Sequence, residues 1–322
     1  MFKNVLVLIA ALGAMLVHAT PPVSFGLFSD TPYSHWEQEH FPDLIVQMND
    51  ANLAFVVHVG DIKGGAALCS DETYRKVFNV FQQSAHPLIF VPGDNEWTDC
   101  HHRKNAAFDP LERLEKLRGI FFAGDSSLGQ RTLKLNRQSD QAAYAAFREN
   151  ARWEAGGVLF VAINLPGSKN NYFGTTLGTA AQEGPSAEFM QRSKANASWL
   201  SEAFALARRK NLPGVMVLVH ANPGFEIWRN NPNESFYRDF LSQLRQETQS
   251  FGGPVVLVHG DTHFQHIDQP MVDATSGAVV KNFTRVENFG SPFFGWIEAT
   301  VDLGNPKVFS FVPKVFRVDA LR

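Results

Sequence analysis

The stretch 53-LAFVVHVGDIK-63 decides the fold. Leu53–Val59 is a short, nearly continuous apolar run that stops at Gly60-Asp61. A run this short and this apolar suits a strand buried on both faces, and glycine before aspartate lets the chain turn sharply at its end. The same construction recurs in Pro22–Ser29, which is followed by Asp30, in Pro87–Val91, followed by Pro92-Gly93-Asp94, and in Pro254–Val258, followed by His259-Gly260-Asp261. Val158–Leu165 and Val215–Val219 are further apolar runs. The first carries Asn164 near its end, and the second passes into His220-Ala221-Asn222.

Helical patterns lie between these runs. Asp109-Pro110 supplies an N-cap and a first-turn proline, with Leu111, Leu114 and Leu117 on one face before Gly119 ends the element. A longer helix is expected over Pro185–Arg209, with Phe189, Leu200, Phe204 and Leu206 facing inward, and a third over Asn233–Thr248. Strand–helix alternation predicts an α/β fold with parallel pairing. After Gly290 the texture changes, and Phe293–Val301, Val308–Val312 and Val315–Val318 read as successive strands closing an antiparallel edge. The Gly-, Asn- and Thr-rich stretch Gly167–Gly184 reads as a long loop of the kind that carries function.

The chain has 322 residues, 44% hydrophobic and 19% charged, which excludes a disordered or fibrous protein. Its 29 Lys and Arg are outnumbered by 32 Asp and Glu, so no nucleic-acid-binding surface is expected. Its 28 Phe and 6 Trp are core material. Lys3, the apolar run Val5–Val17 and the small-residue site Val17-His18-Ala19 read as a signal peptide over residues 1–19, too short to span a bilayer. No later segment is long enough to do so. Residues 20–322, without repeat or composition break, are read as one domain exported to a periplasm or the exterior. In an oxidising compartment Cys69 and Cys100, the only two cysteines, are expected to pair; two buried free thiols are the other reading.

The chemistry lies at the strand ends. Asp30, Asp61, Asp94 and Asp261, joined by His220 and His263, fall where an open α/β sheet places its ligand crevice. A single Gly-Asp is usually a turn, and Gly124-Asp125 reads as one. Four carboxylates converging on one crevice repel one another unless a cation lies among them, so the set points to metal.

The series resembles the calcineurin-like metallophosphoesterase superfamily, whose blocks read D-x-H, GD-x-x, GNH-[DE], a lone H, and GH-x-H. Here they stand as Asp30-Thr31-Pro32, Gly60-Asp61-Ile62-Lys63, Gly93-Asp94-Asn95-Glu96, His220 and Gly260-Asp261-Thr262-His263. The resemblance implies a four-layer α/β/β/α sandwich of two mixed sheets flanked by helices. It also implies a two-metal site, with Asp30, Asp61 and His263 around one ion and Asp61, Asp94, His220 and Asp261 around the other. Three positions depart from the pattern. Pro32 replaces a ligand histidine, Asp94-Asn95 replaces Asn-His, and Asp261 replaces the first histidine of the last block. The more carboxylate-rich set favours manganese, iron or magnesium over zinc.

The function this implies is an exported metal-dependent phosphoesterase, cleaving a phosphate mono- or diester of a small substrate with metal-activated water. A non-catalytic metal- or phosphate-binding protein on the same scaffold is the alternative. Asn95 can donate only a neutral hydrogen bond where the family has an imidazole. His101 and His102, close to Cys100, are candidate general acids or exposed loop histidines, and Lys63 is a candidate anion contact or a solvated lysine.

Overall fold

The computed structural model describes residues 21–174 and 184–318. The expected signal peptide and most of the second half of the 167–184 loop lie outside these residues. In chain order the elements are β1 (Val23–Phe28), α1 (His35–Asn49), β2 (Val56–Val59), α2 (Asp71–Phe81), β3 (Leu88–Val91), α3 (Pro110–Phe121), β4 (Asn136–Arg137), β5 (Ala151–Ala155) and β6 (Val158–Ala162). They continue with α4 (Ala187–Arg209), β7 (Val215–Leu218), α5 (Phe225–Asn230), α6 (Arg238–Phe251), β8 (Val255–His259), β9 (His266–Asp268), β10 (Phe283–Glu287), β11 (Gly295–Val301) and β12 (Phe309–Val315).

Two mixed sheets result, in the orders β12-β11-β1-β2-β3 and β4-β5-β6-β7-β8-β10-β9. Strands β1–β3 are mutually parallel, as are β6–β8 and β10; β11 runs antiparallel to β1. The period-2 alternation of strand side chains divides the core into three layers. Phe25, Leu27, Val57, Val59, Ile89 and Val91 from the first sheet meet Phe160, Ala162, Met216, Leu218, Val256 and Val258 from the second in a central layer. The alternate residues Phe28, Val56, Leu88 and Phe90 pack on α1, α2 and α3. Leu159, Val161, Val215, Val217, Val255 and Leu257 pack on α4, α5 and α6. This is the expected α/β/β/α sandwich, and the central strands β2, β3, β6, β7 and β8 are buried along their whole length because both of their faces are covered. Among the described residues no helix is long and apolar enough to cross a membrane.

The elements depart from the sequence reading in several places. Helix α3 begins at the Asp109 cap but runs through Gly119 to Phe121, and Leu111 on its first turn is exposed. Burial of Phe121 and Phe122 beside Phe90 outweighs the helix cost of one glycine, about 1 kcal/mol. Helix α6 starts at Arg238 rather than Asn233, after a short 3-10 turn over Pro232–Glu234. The last segment forms one strand, Phe309–Val315, in place of two. Helices α1 and α2 and strands β4, β5, β9 and β10 were not anticipated, because their apolar residues are interleaved with polar ones or their runs are very short.

Candidate metal centre

The carboxyl ends of the parallel strands of both sheets converge. Asp30, Asp61 and Asp94 follow β1, β2 and β3, while His220 and Asp261 follow β7 and β8. Asp30, Asp61 and Asp261 adopt positive φ angles of 51°, 61° and 75°, and His263 one of 61°. Such left-handed conformations are sparsely populated outside glycine, although aspartate tolerates them better than most residues. Glycines provide the room, but for a neighbouring block. A Cβ on Gly93 would lie 2.2 Å from Asp61 Oδ1, and one on Gly260 would lie 2.1 Å from Asp30 Oδ2.

His220 is the hub. Its Nε2 lies 3.0 Å from Asp94 Oδ1, 3.3 Å from Asp61 Oδ1 and 3.9 Å from Asp261 Oδ1. Asp30, Asp61 and His220 form one group whose donor atoms all lie within 4.8 Å of one another, and Asp94, His220 and Asp261 form a second. His263 Nε2 stands 3.3 Å from Asp30 Oδ1, outside both groups. The resemblance implies a carboxylate, Asp61, shared between two ions; in this structure the residue common to both groups is the imidazole.

The donor chemistry fits divalent cations. Nδ1 of His220 faces the Val59 carbonyl at 2.8 Å and Nδ1 of His263 faces the Ser291 carbonyl at 2.6 Å. A carbonyl can only accept, so each Nδ1 carries the proton and each neutral ring offers a bare Nε2 to carboxylate oxygens. Acceptor then faces acceptor until a proton or a cation intervenes. Burial pushes the Asp61 carboxyl well above its ordinary pKa, with His220 opposing and Asp94, Glu96 and Asp30 reinforcing the rise. Burial likewise raises Asp261 to about 6, against the charge of His220. Burial also works against the charged form of Asp94, but its hydrogen bond and charge contact with His220 hold it at about 2. Burial depresses His220, yet Asp61, Asp94 and Asp30 together carry its pKa well above normal. The raised Asp61 and Asp261 carboxyls and the raised His220 and His263 rings all record an excess of negative charge that bound protons or a cation would relieve.

Around this centre Asn95 Nδ2 donates to Asp61 Oδ2 at 2.5 Å, to the Tyr33 hydroxyl at 2.9 Å and to the Lys63 carbonyl at 3.2 Å. The Lys63 ammonium is buried, with a 3.4 Å contact to the Gly64 carbonyl. Burial lowers its pKa against the opposing fields of Glu96, Asp61, Asp99 and Asp94. Cys69 and Cys100 form a disulfide, and both sulfurs lie beneath the Asn95 carbonyl, at 3.5 and 3.7 Å. The His101 and His102 rings lie against one another with centroids 3.9 Å apart and planes tilted by 41°, and His101 Nδ1 bonds the Thr98 carbonyl. Among the described residues neither ring forms an ion pair with the four carboxylates.

No protein-family model matches this sequence, and no curated protein matches it. Solved structures do resemble it. A dimetal phosphatase from Danio rerio superposes with a TM-score of 0.51 at 13% identity, over 91% of this chain and 99% of that one. A structure of PhoD gives a TM-score of 0.52, also at 13% identity, over 88% of this chain and 64% of that one. This chain shares the fold of these two structures.

Pro32 leaves no donor atom where the sequence resemblance implies a ligand histidine. Tyr33, which sequence reasoning passed over, lies next to that position, and its hydroxyl donates to Asp61 Oδ2 at 2.5 Å. Burial, then the charges of Asp61 and Asp30, raise its pKa well above normal, so the phenol stays protonated. Glu96, quoted only as part of its block, accepts the Gly93 and Asp61 amides at 2.5 and 3.2 Å. Ser168 Oγ lies 2.7 Å from both Asp94 Oδ2 and Asp99 Oδ1, and its one hydroxyl hydrogen serves one of them at a time. Its only signal in sequence was membership of the polar 167–184 loop. Glu287 at the end of β10 was missed because FTRVE does not read as an apolar strand.

Proposed function

We propose that this chain is an exported metal-dependent phosphoester hydrolase acting on a small phosphate mono- or diester, with residues 20–322 forming one domain behind a signal peptide. The observation that carries this reading is the convergence of Asp30, Asp61, Asp94 and Asp261 on His220. Asp30, Asp61 and His263 would hold one ion, and Asp61, Asp94, Asp261 and His220, whose single bare Nε2 can serve one ion, the other. The carboxylate excess favours manganese, iron or magnesium over zinc. Bound divalent ions would supply Lewis acidity toward the phosphoryl oxygens and the attacking water.

The chain's own residues set the geometry for that chemistry. The Val59 carbonyl fixes the His220 tautomer, so Nε2 faces the carboxylates. The Tyr33 hydroxyl and the Asn95 amide hold Asp61 Oδ2, while the Asp94 and Asn95 backbone amides hold Oδ1 at 3.1 and 3.0 Å. Lys63 is the buried cation that would orient phosphoryl oxygens, while the Asn95 side-chain amide, already committed to Asp61, Tyr33 and the Lys63 carbonyl, holds Asp61 in place. His101 or His102 would deliver a proton to the leaving group only through a shift of their 3-10 turn. Export is supported by the apolar stretch Val5–Val17 and by the disulfide.

The test is phosphate or nitrophenol release from 4-nitrophenyl phosphate and bis(4-nitrophenyl) phosphate by purified protein. It is run metal-free and with added Mn²⁺, Mg²⁺ or Zn²⁺. Metal-dependent turnover of either ester, lost in Asp61→Asn, is the expected result. Tight metal and phosphate binding without turnover would overturn the enzyme reading in favour of a binding protein.

A further inference from the structure

Two candidate ligands, Asp261 and His263, lie on one four-residue turn after β8, and both have left-handed backbones. That turn does not hold itself. The Glu287 carboxylate, completely buried at the end of β10, accepts with its Oε1 from the Thr262 hydroxyl at 2.6 Å and from the Phe264 amide at 2.9 Å. The two donors bracket His263. The Thr262 hydroxyl also accepts from Asn222 Nδ2 at 2.9 Å, and the Asn222 amide donates to Asp261 Oδ2 at 3.0 Å. Asn222 stands two residues after His220. Asn222, Thr262 and Glu287 therefore form a relay that ties the His220 strand end to the turn carrying Asp261 and His263. On the other side of the carboxylate, Oε2 faces His266 Nδ1 at 3.3 Å and His259 Nε2 at 3.8 Å.

We infer that Glu287, acting through Thr262, is a positioning residue of the metal centre that sets the left-handed turn bearing Asp261 and His263. The inference rests on the metal-centre reading above. Left-handed non-glycine residues persist only where their surroundings over-determine them. Two hydrogen bonds to one buried charged oxygen, bracketing one ligand, provide that constraint. Groups one shell out from a metal typically change its affinity by about 10–100-fold when removed.

The experiment titrates Mn²⁺ alone into wild type, Glu287→Ala, Glu287→Gln and Thr262→Val by calorimetry, with circular dichroism to check folding. Glu149→Gln, altered at a buried ion pair among residues that do not touch the turn, controls for general destabilisation. Glu287→Ala is expected to raise the Mn²⁺ Kd by about 10–100-fold. Glu287→Gln keeps an oxygen that accepts from Thr262 and Phe264, and is expected to restore the affinity to within a few-fold. Thr262→Val, which keeps the side chain's shape, should weaken binding in the same direction, and Glu149→Gln should not. If Glu287→Ala fails to fold, the comparison of Thr262→Val with Glu287→Gln decides. Wild-type affinity in folded Glu287→Ala or in Thr262→Val, or equal losses in Gln and Ala, would overturn the role of Glu287. A wild type that binds no Mn²⁺, Mg²⁺ or Fe²⁺ would instead overturn the metal centre itself.

Discussion

The Nδ1 of His220 lies 2.8 Å from the carbonyl oxygen of Val59, 161 residues earlier in the chain. Val59 ends a strand of the five-stranded sheet and His220 follows a strand of the seven-stranded one, so this bond spans the sandwich and aims Nε2 at carboxylates from both sheets. His220→Ala removes the donor common to both groups and leaves Asp61, Asp94 and Asp261 without their imidazole. Metal content measured by mass spectrometry should fall to near zero. Phosphoesterase activity should drop by at least about 100-fold, the upper end of what outer partners of a metal give. Retained stoichiometric metal would show that His220 is a structural histidine.

Asp261 separates a rebuilt site from an accidental carboxylate. Asp261→Ala is expected to weaken Mn²⁺ binding. Asp125→Asn, at an exposed pair 3.4 Å from Lys134, should leave it unchanged. The double change Asp94→Asn with Asp261→His removes two carboxylates and adds nitrogen, which should move the preference toward Zn²⁺. Equal Mn²⁺ affinity in wild type and Asp261→Ala would count against this assignment.

The Cys69–Cys100 disulfide closes a loop with a sequence separation of 31 directly under the Asn95 carbonyl. Replacing both cysteines by serine is expected to cost about 3–4 kcal/mol in urea unfolding, on a chain-entropy estimate. It should also weaken metal binding, because the Asp94-Asn95 turn loses its support. Thiol titration of the denatured, unreduced protein should find almost no free thiol.

Glu149 and Arg118 form a buried ion pair, with Arg118 Nε and an Nη of the guanidinium 2.9 and 2.7 Å from the two carboxylate oxygens. Burial would raise the Glu149 pKa, but the Arg118 charge and the Arg118 and Asn164 hydrogen bonds hold it below normal. A depressed carboxyl contributes stability that is fully present above the unfolded pKa of about 4.3 and is lost as pH falls through the lower folded value. Glu149→Ala leaves a buried guanidinium short of its partner and should cost about 3–5 kcal/mol near neutral pH. The Tm gap between mutant and wild type should narrow below about pH 4, and a gap independent of pH would rule out the charge as its origin.

The strands that carry the centre were readable because each is apolar on both faces and ends in a small residue and an aspartate. Those features follow from covering both faces of each sheet and from turning the chain at the crevice. The layer sequence came from the family resemblance, and the three core clusters account for it. Tyr33, Ser168 and Glu287 were not readable for a different reason. Each acts through a contact made across 28, 74 or 25 residues of sequence, and nothing in its local pattern marks the partner. Helix α3 overran Gly119 because Phe121 and Phe122 find a pocket of aromatic rings that periodicity alone does not reveal.

Strand β1 is bounded on one side by β2 and on the other by β11, which begins at Gly295. While the chain is being made, β1 keeps an open edge until β11 has emerged, about 270 residues later by number, and Asp30 stands at the tip of that unfinished strand. A product truncated after Gly290 would retain Asp30, Asp61, Asp94, His220, Asp261 and His263. It would lack the backbone neighbour that closes β1, and its exposed edge would invite pairing with other chains. Arrival of β11, rather than possession of the donor residues, thus completes the strand that carries Asp30.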